Sequence, residues 1–119
     1  MKEEKFKIID FIRNLIIQID KELDNFPKKD MEIKNRIRNN SYELLELCYE
    51  ANTTISKENR IRLLEKAIAK IKIIDFLLNL SYDKQIISNK KYLKLGLRMD
   101  DIIKYISGWL NKIIKENGA

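Results

Sequence analysis

Almost nothing in this chain can stop a helix. Its 119 residues include one proline, Pro27, and three glycines, Gly96, Gly108 and Gly118. Proline and glycine are the strongest punctuators of local structure, so long uninterrupted segments are the natural outcome. The first covers about residues 3–25. Ile8, Ile12, Leu15, Ile19, Leu23 and Phe26 recur at steps of three and four, which marks one face of a helix, and Ile9, Phe11 and Ile16 widen that face. Pro27 ends it, because the residue before a proline disfavours the helical basin. The second segment covers about 30–51, with Asp30 as its N-cap and Ile37, Ser41, Leu44, Cys48 and Ala51 as its inner stripe, flanked by Ile33, Leu45 and Leu47.

Asn52-Thr53-Thr54 breaks the pattern, and Ser56 can cap a third helix over about 57–82. Ile61, Leu64, Ile68, Ile71 and Leu78, with Leu63, Ala67, Ile74 and Leu77, give this helix an apolar surface broad enough for two neighbours. Ser88 is the next capping candidate, and a fourth helix covers about 88–115. Its stripe is Tyr92, Leu95, Met99, Ile102, Ile103, Ile106, Trp109, Leu110 and Ile113. Short connections force consecutive helices to run antiparallel. The expected fold is all-α, an up-down-up-down antiparallel four-helix bundle forming one domain over 1–119.

A four-helix bundle buries one face of each helix. Ile17, Phe11, Ile73, Phe76, Leu97 and Tyr105 lie off the main stripes, and a second apolar face points to contact between subunits. Phe11, Phe76, Tyr105 and Trp109 are therefore the candidate interface residues of a homo-oligomer. Gly108 reads as a place where two helices approach closely.

The residue types present bound the chemistry. The chain has no histidine, which removes Cys–His and Ser–His–Asp catalysis and every His-containing metal site. Cys48 is the only cysteine, so no intrachain disulfide can form, and its place in an apolar run suits a buried small hydrophobe. Glu43, Glu46, Glu50 and the pair Asp100-Asp101 supply carboxylates, but a di-metal carboxylate bundle needs Glu-x-x-His motifs. No glycine-rich phosphate loop is present. A non-enzyme without metal or cofactor is expected. No apolar run approaches the roughly 18 residues of a membrane span, and the opening Met-Lys-Glu-Glu-Lys does not resemble a signal peptide. A cytoplasmic protein without a membrane partner is the expectation.

What remains is charge. Lys and Arg number 24 against 18 Asp and Glu, a net +6, which favours an acidic partner such as nucleic acid. The cations form rows. Lys34 and Arg38 are one turn apart with Arg36 between them. Arg62, Lys66 and Lys70 step by four, and so do Lys90 or Lys91, Lys94 and Arg98. Between Lys84 and Arg98 there is no acidic residue. Cations at four-residue spacing repel one another, and phosphates along a backbone would offset that. The alternative is an ordinary solvated face, partly paired with Glu65, Asp75 or Asp100. Tyr42, Tyr49, Tyr82, Tyr92 and Tyr105 could stack on bases or simply rim the core.

Several features then fall in order: Phe26-Pro27-Lys28-Lys29 after the first helix, Asn35-Arg36-Ile37 opening the second, and Tyr42-Glu43-Leu44-Leu45-Glu46-Leu47 succeeded by Glu50-Ala51-Asn52. A Lys-rich third helix comes next, then Ser107-Gly108-Trp109-Leu110. Over about Ile19 to Ile114 this resembles the four-helix-bundle family of the accessory variability determinant of diversity-generating retroelements and the 23S ribosomal RNA intervening-sequence proteins. The resemblance implies a homopentameric, barrel-like ring with a basic surface. It also implies a reverse transcriptase as partner, RNA or cDNA as ligand, and a supporting role in copying template RNA, without catalysis. Lys34, Arg36, Arg38, Arg62, Lys66, Lys70, Lys91, Lys94 and Arg98 are the candidate nucleic-acid contacts. Where the family often carries Gly before Arg-Ile, this chain has Asn35. Where it often carries Arg-Leu-Ala-x-Asp-Leu, this chain reads Asn79-Leu80-Ser81-Tyr82-Asp83. The ribosomal-insert branch, and a structural oligomer with a protein partner, stay open.

Overall fold

A computed structural model describes the backbone of residues 2–118 and the side chains of residues 7–116; the side chains of the opening Met-Lys-Glu-Glu-Lys lie outside the described residues. Four helices occur in order: α1 (Lys2–Leu23), α2 (Met31–Thr53), α3 (Lys57–Asp83) and α4 (Asn89–Gly118), with a short 3-10 turn at Lys28–Asp30. Thirty residues at about 1.5 Å each make α4 about 45 Å long, and the molecule measures 51 × 23 × 20 Å.

Side-chain contacts fix the directions. Lys70 on α3 reaches Asn40 on α2, and Arg60 near the start of α3 reaches Thr54 just beyond the end of α2, so α2 and α3 run antiparallel. Arg98 meets Gln18, Lys91 meets Glu22 and Tyr105 meets Phe11, so α1 and α4 do the same. Each helix packs on two neighbours, and among the described residues the backbones of α1 and α3, and of α2 and α4, do not come as close. The bundle is therefore a square, in which the α2–α3 seam and the α1–α4 seam are opposite sides.

The core runs along the expected stripes. Ile8, Ile12, Leu15, Ile19, Leu23 and Phe26 are buried, as are Ile37, Ser41, Leu44, Cys48 and Ala51. On α3 the phase differs: Leu64, Ala67, Ile71, Ile74, Leu77 and Leu78 are buried, while Ile61 and Ile68 are only half-buried. The hydroxyls of Ser41 and Ser81 donate to the carbonyls of Arg38 and Leu77, each at 2.8 Å, so neither is left unsatisfied in the core. Burial pushes the Cys48 thiol up to about 12, as a cysteine among apolar side chains requires.

The helix ends bear out two expected caps and correct a third. Ser56 Oγ accepts from the Asn59 N–H and Ser88 Oγ from the Lys91 N–H, each at 3.2 Å. Asp30 makes no side-chain cap; it is buried and accepts from Lys84 Nζ at 3.1 Å. At the end of α3 the Ile86 N–H donates to the Ser81 carbonyl and the Gln85 N–H to that of Tyr82. That pair of bonds is a Schellman motif, and Gln85, with φ 64°, occupies the left-handed position where glycine is the usual residue. Gly108, expected to mark a close helix contact, is instead exposed, and no heavy atom lies within 4 Å of where its Cβ would be.

Candidate nucleic-acid interface

The nine candidate cations divide by what they already touch. Arg36 pairs with Glu32 at 3.5 Å, one turn away on the same helix. Lys70 crosses the α2–α3 seam to Glu43 and donates to Asn40 Oδ1 at 3.2 Å. Lys91 crosses the α1–α4 seam to Glu22 at 3.2 Å. Arg62 donates to Asn59 Oδ1 at 2.6 Å, and Arg98 donates to Gln18 Oε1. The carboxylates used are Glu22, Glu32 and Glu43 rather than Glu65, Asp75 or Asp100.

Lys34, Arg38, Lys66 and Lys94 make no ion pair among the described residues. Lys90, the alternative to Lys91 in its row, is exposed and also without one. These open cations do not share a face. Lys34 and Arg38 lie on the flank of α2 away from α3, Lys66 on the outside of α3, and Lys90 and Lys94 on the outside of the first half of α4. The surplus charge is concentrated: α4 carries seven Lys and Arg against three Asp and Glu, and α3 six against four.

Two buried acids, Glu22, which sequence patterning passed over, and Asp30, which it read as a cap, explain part of the cation run. Glu22 and Asp30 are both more than nine-tenths buried and face Lys91 and Lys84. The two pairs tie the α1–α2 connection to the α3–α4 connection at one end of the bundle. Each acid sits beside an apolar position or a turn, so nothing in its local sequence marks it as buried. Arg60 donates to the Thr54 carbonyl at 2.8 Å, placing a cation at the negative end of α2. The unbroken cations from Lys84 onward thus serve the fold as well as the surface.

The aromatic residues divide in the same way. Phe11 and Tyr105 meet edge to face across the α1–α4 seam, centroids 5.1 Å apart. Tyr82 and Tyr92 stack at 5.8 Å. The Tyr92 hydroxyl donates to Asp75 Oδ1 at 2.9 Å and accepts from Asn79 at 3.2 Å. Burial, with Asp75 as a further contributor, raises the Tyr92 phenol above its ordinary value, partly offset by Asn79. Trp109 is half-buried against the core. Of the four interface candidates, only Phe76 stands open, at 65% exposure. Leu97 at 69% and Leu93 at 56% accompany it on the outer side of the α3–α4 pair, where a groove of 460 Å³ runs past Gly96 and Ile103.

Among the described residues, no group of three or more His, Cys, Asp or Glu is placed to hold a metal, and no helix is long and apolar enough to cross a membrane. No family model matches this sequence, and no curated protein matches it significantly. The fold does have a counterpart. A crystal structure of a protein of unknown function from the S23 ribosomal protein family of Bacteroides thetaiotaomicron superposes with a TM-score of 0.82. The match covers 91% of this chain and 98% of that one, at 14% identity. At that identity the likeness is one of fold.

Proposed function

We propose that this protein is a non-enzymatic nucleic-acid-binding bundle that acts as a homo-oligomer, holding phosphate backbone through cations its own fold leaves unpaired. The observation that carries this is the division among the cations. The fold engages Lys70, Lys84 and Lys91 with carboxylates, yet Lys34, Arg38, Lys66 and Lys94 reach none. The open apolar residues Phe76, Leu93 and Leu97 support self-association on the α3–α4 side, for which the resemblance implies a pentameric ring. A reverse transcriptase as partner, and support of template copying in a diversity-generating retroelement, belong to the same reading through that resemblance. The S23 family name of the chain with the same fold favours a second reading, a protein tied to a ribosomal RNA insert.

The test is a titration of structured RNA at two salt concentrations, alongside light scattering. Binding should weaken steeply with salt, and Lys66→Glu with Lys94→Glu should lower affinity and flatten the salt slope by about one per lost contact. Absent or salt-indifferent binding would overturn the nucleic-acid reading. A monomer at working concentration would overturn the oligomer.

A further inference from the structure

We infer that the flank of α2 turned away from α3 is a platform for single-stranded nucleic acid, with Tyr42 and Tyr49 stacking on bases and Lys34 and Arg38 holding the adjoining phosphates. This rests on the nucleic-acid reading above and names the form of polymer that the surface fits.

The tyrosines fall into two groups. Tyr82, Tyr92 and Tyr105 have their rings engaged within the chain. Tyr42 and Tyr49 do not: they are 43% and 49% exposed, and neither ring nor hydroxyl has a partner among the described residues. They are seven residues apart, two turns, so they project from the same side of α2 about 10 Å apart. A pair of open rings along one line suits two nearby bases of a strand whose faces are free. A duplex, whose faces are stacked internally, offers them nothing.

The cations share that line. Arg38 is one turn before Tyr42 and Lys34 one turn before Arg38, so the row from Lys34 to Tyr49 extends about 22 Å. Both cations are half-buried without an ion pair, which describes stems laid along the helix and charged heads left in water. The acids of α2 divide. Glu32 and Glu43 lie on the side facing α3, where they take Arg36 and Lys70. Glu46, one turn after Tyr42 and three residues before Tyr49, is exposed beside the rings, and Glu50 is exposed one turn further on. α2 has three cations and four acids in all. The row is thus positive at its Lys34–Arg38 end and aromatic, with one carboxylate alongside, at its Tyr42–Tyr49 end. Cationic tracking beside sequence-tolerant base stacking is how single strands are held.

The test uses the full-length protein, an oligonucleotide of about ten residues in single-stranded form, and the same sequence as a duplex, each at two salt concentrations. The expected result is tighter binding of the single strand. Tyr42→Leu and Tyr49→Leu should each weaken it about tenfold with the salt slope unchanged, while leaving duplex affinity alone. Tyr42→Phe and Tyr49→Phe, which keep a ring, should bind as the parent does. Lys34→Ala with Arg38→Ala should instead lower the slope. If single strand and duplex bind alike and the leucine variants change neither, the platform is refuted while nucleic-acid binding stands. If neither form binds, the reading beneath it fails as well. Circular dichroism of each variant separates lost binding from lost fold.

Discussion

Lys91 and Lys94 belong to one row on α4, three residues apart, and the structure gives them opposite duties. Replacing each with alanine separates the two. Lys91 is about half exposed, but its partner Glu22 keeps only 10% of its side-chain surface in water. An exposed ion pair contributes about 0.2–1 kcal/mol, whereas removing one partner of a fully buried pair costs about 3–5 kcal/mol because the other charge is stranded. With one partner in each environment, Lys91→Ala should cost about 1.5 kcal/mol. Unfolding entropy near 60 °C is about 2.1 cal/mol/K per residue, or about 250 cal/mol/K for a chain of this length, so 1 kcal/mol moves Tm by about 4 °C. Lys91→Ala should therefore lower Tm by about 6 °C. Lys94→Ala, which removes no partner, should stay within about 1 °C.

Differential scanning calorimetry at fixed protomer concentration reads both, and a second background isolates the pair. In Glu22→Gln no buried charge remains to be stranded, so adding Lys91→Ala should cost less than about 0.5 kcal/mol, leaving a coupling of about 1 kcal/mol. RNA affinity should move the other way: Lys94→Ala weakens it more than Lys91→Ala does. Equal Tm values for Lys91→Ala and Lys94→Ala, or a cost of Lys91→Ala unchanged by Glu22→Gln, would refute the assignment of Lys91 to the fold.

Two single positions give further outcomes. Gln85→Gly should raise Tm by about 2–4 °C, since relief of a side chain held at positive φ outweighs glycine's extra freedom when unfolded by about 0.5–1 kcal/mol; a fall in Tm would show that the Gln85 side chain contributes something its backbone strain conceals. Cys48, with its thiol pushed up to about 12 against 9.0 ordinarily, should resist alkylation at pH 8 in the native state and react only on unfolding. Because the folded value is the higher one, its contribution to stability is complete below about pH 9 and lost as pH rises toward 12; an unfolding free energy flat across that window would contradict its burial.

The fold was readable because its cause is local and periodic. A stripe such as Ile12, Leu15, Ile19 and Leu23 declares its own burial, and Ser56 and Ser88 each stand directly before a long apolar-periodic segment, where a cap belongs. The misreadings have the opposite character. On α3 apolar residues occur nearly all the way round, so periodicity could not separate Ile61 and Ile68, half-buried, from Ala67 and Ile74, buried. Asp30 precedes a helix and looks like a cap, but its carboxylate is taken by Lys84, 54 residues away. Gly108 looks like a contact and faces open space. The cation rows were visible, yet which members are free depended on Glu22 and Glu43, reached across seams that sequence spacing does not encode.

Those seams also bear on how a polymer could be held. The crossing pairs occupy opposite sides of a square bundle, Lys70–Glu43 between α2 and α3 and Lys91–Glu22 between α1 and α4. Lys70–Glu43 neutralises the middle of its side, and Lys91–Glu22 one end of the other. What stays positive is displaced to the flank of α2 beyond its contact with α3 and to the outer surfaces of α3 and α4. A stiff duplex lying along one bundle meets one of these surfaces at a time. A flexible strand can pass from one to another, and so can a ligand shared between bundles whose α3–α4 sides are brought together. Flexibility of the ligand and self-association of the protein are thus two answers to the same constraint. The tyrosines on α2 favour the first and the exposed Phe76 and Leu97 the second, and because they lie on different helices the two can operate at once.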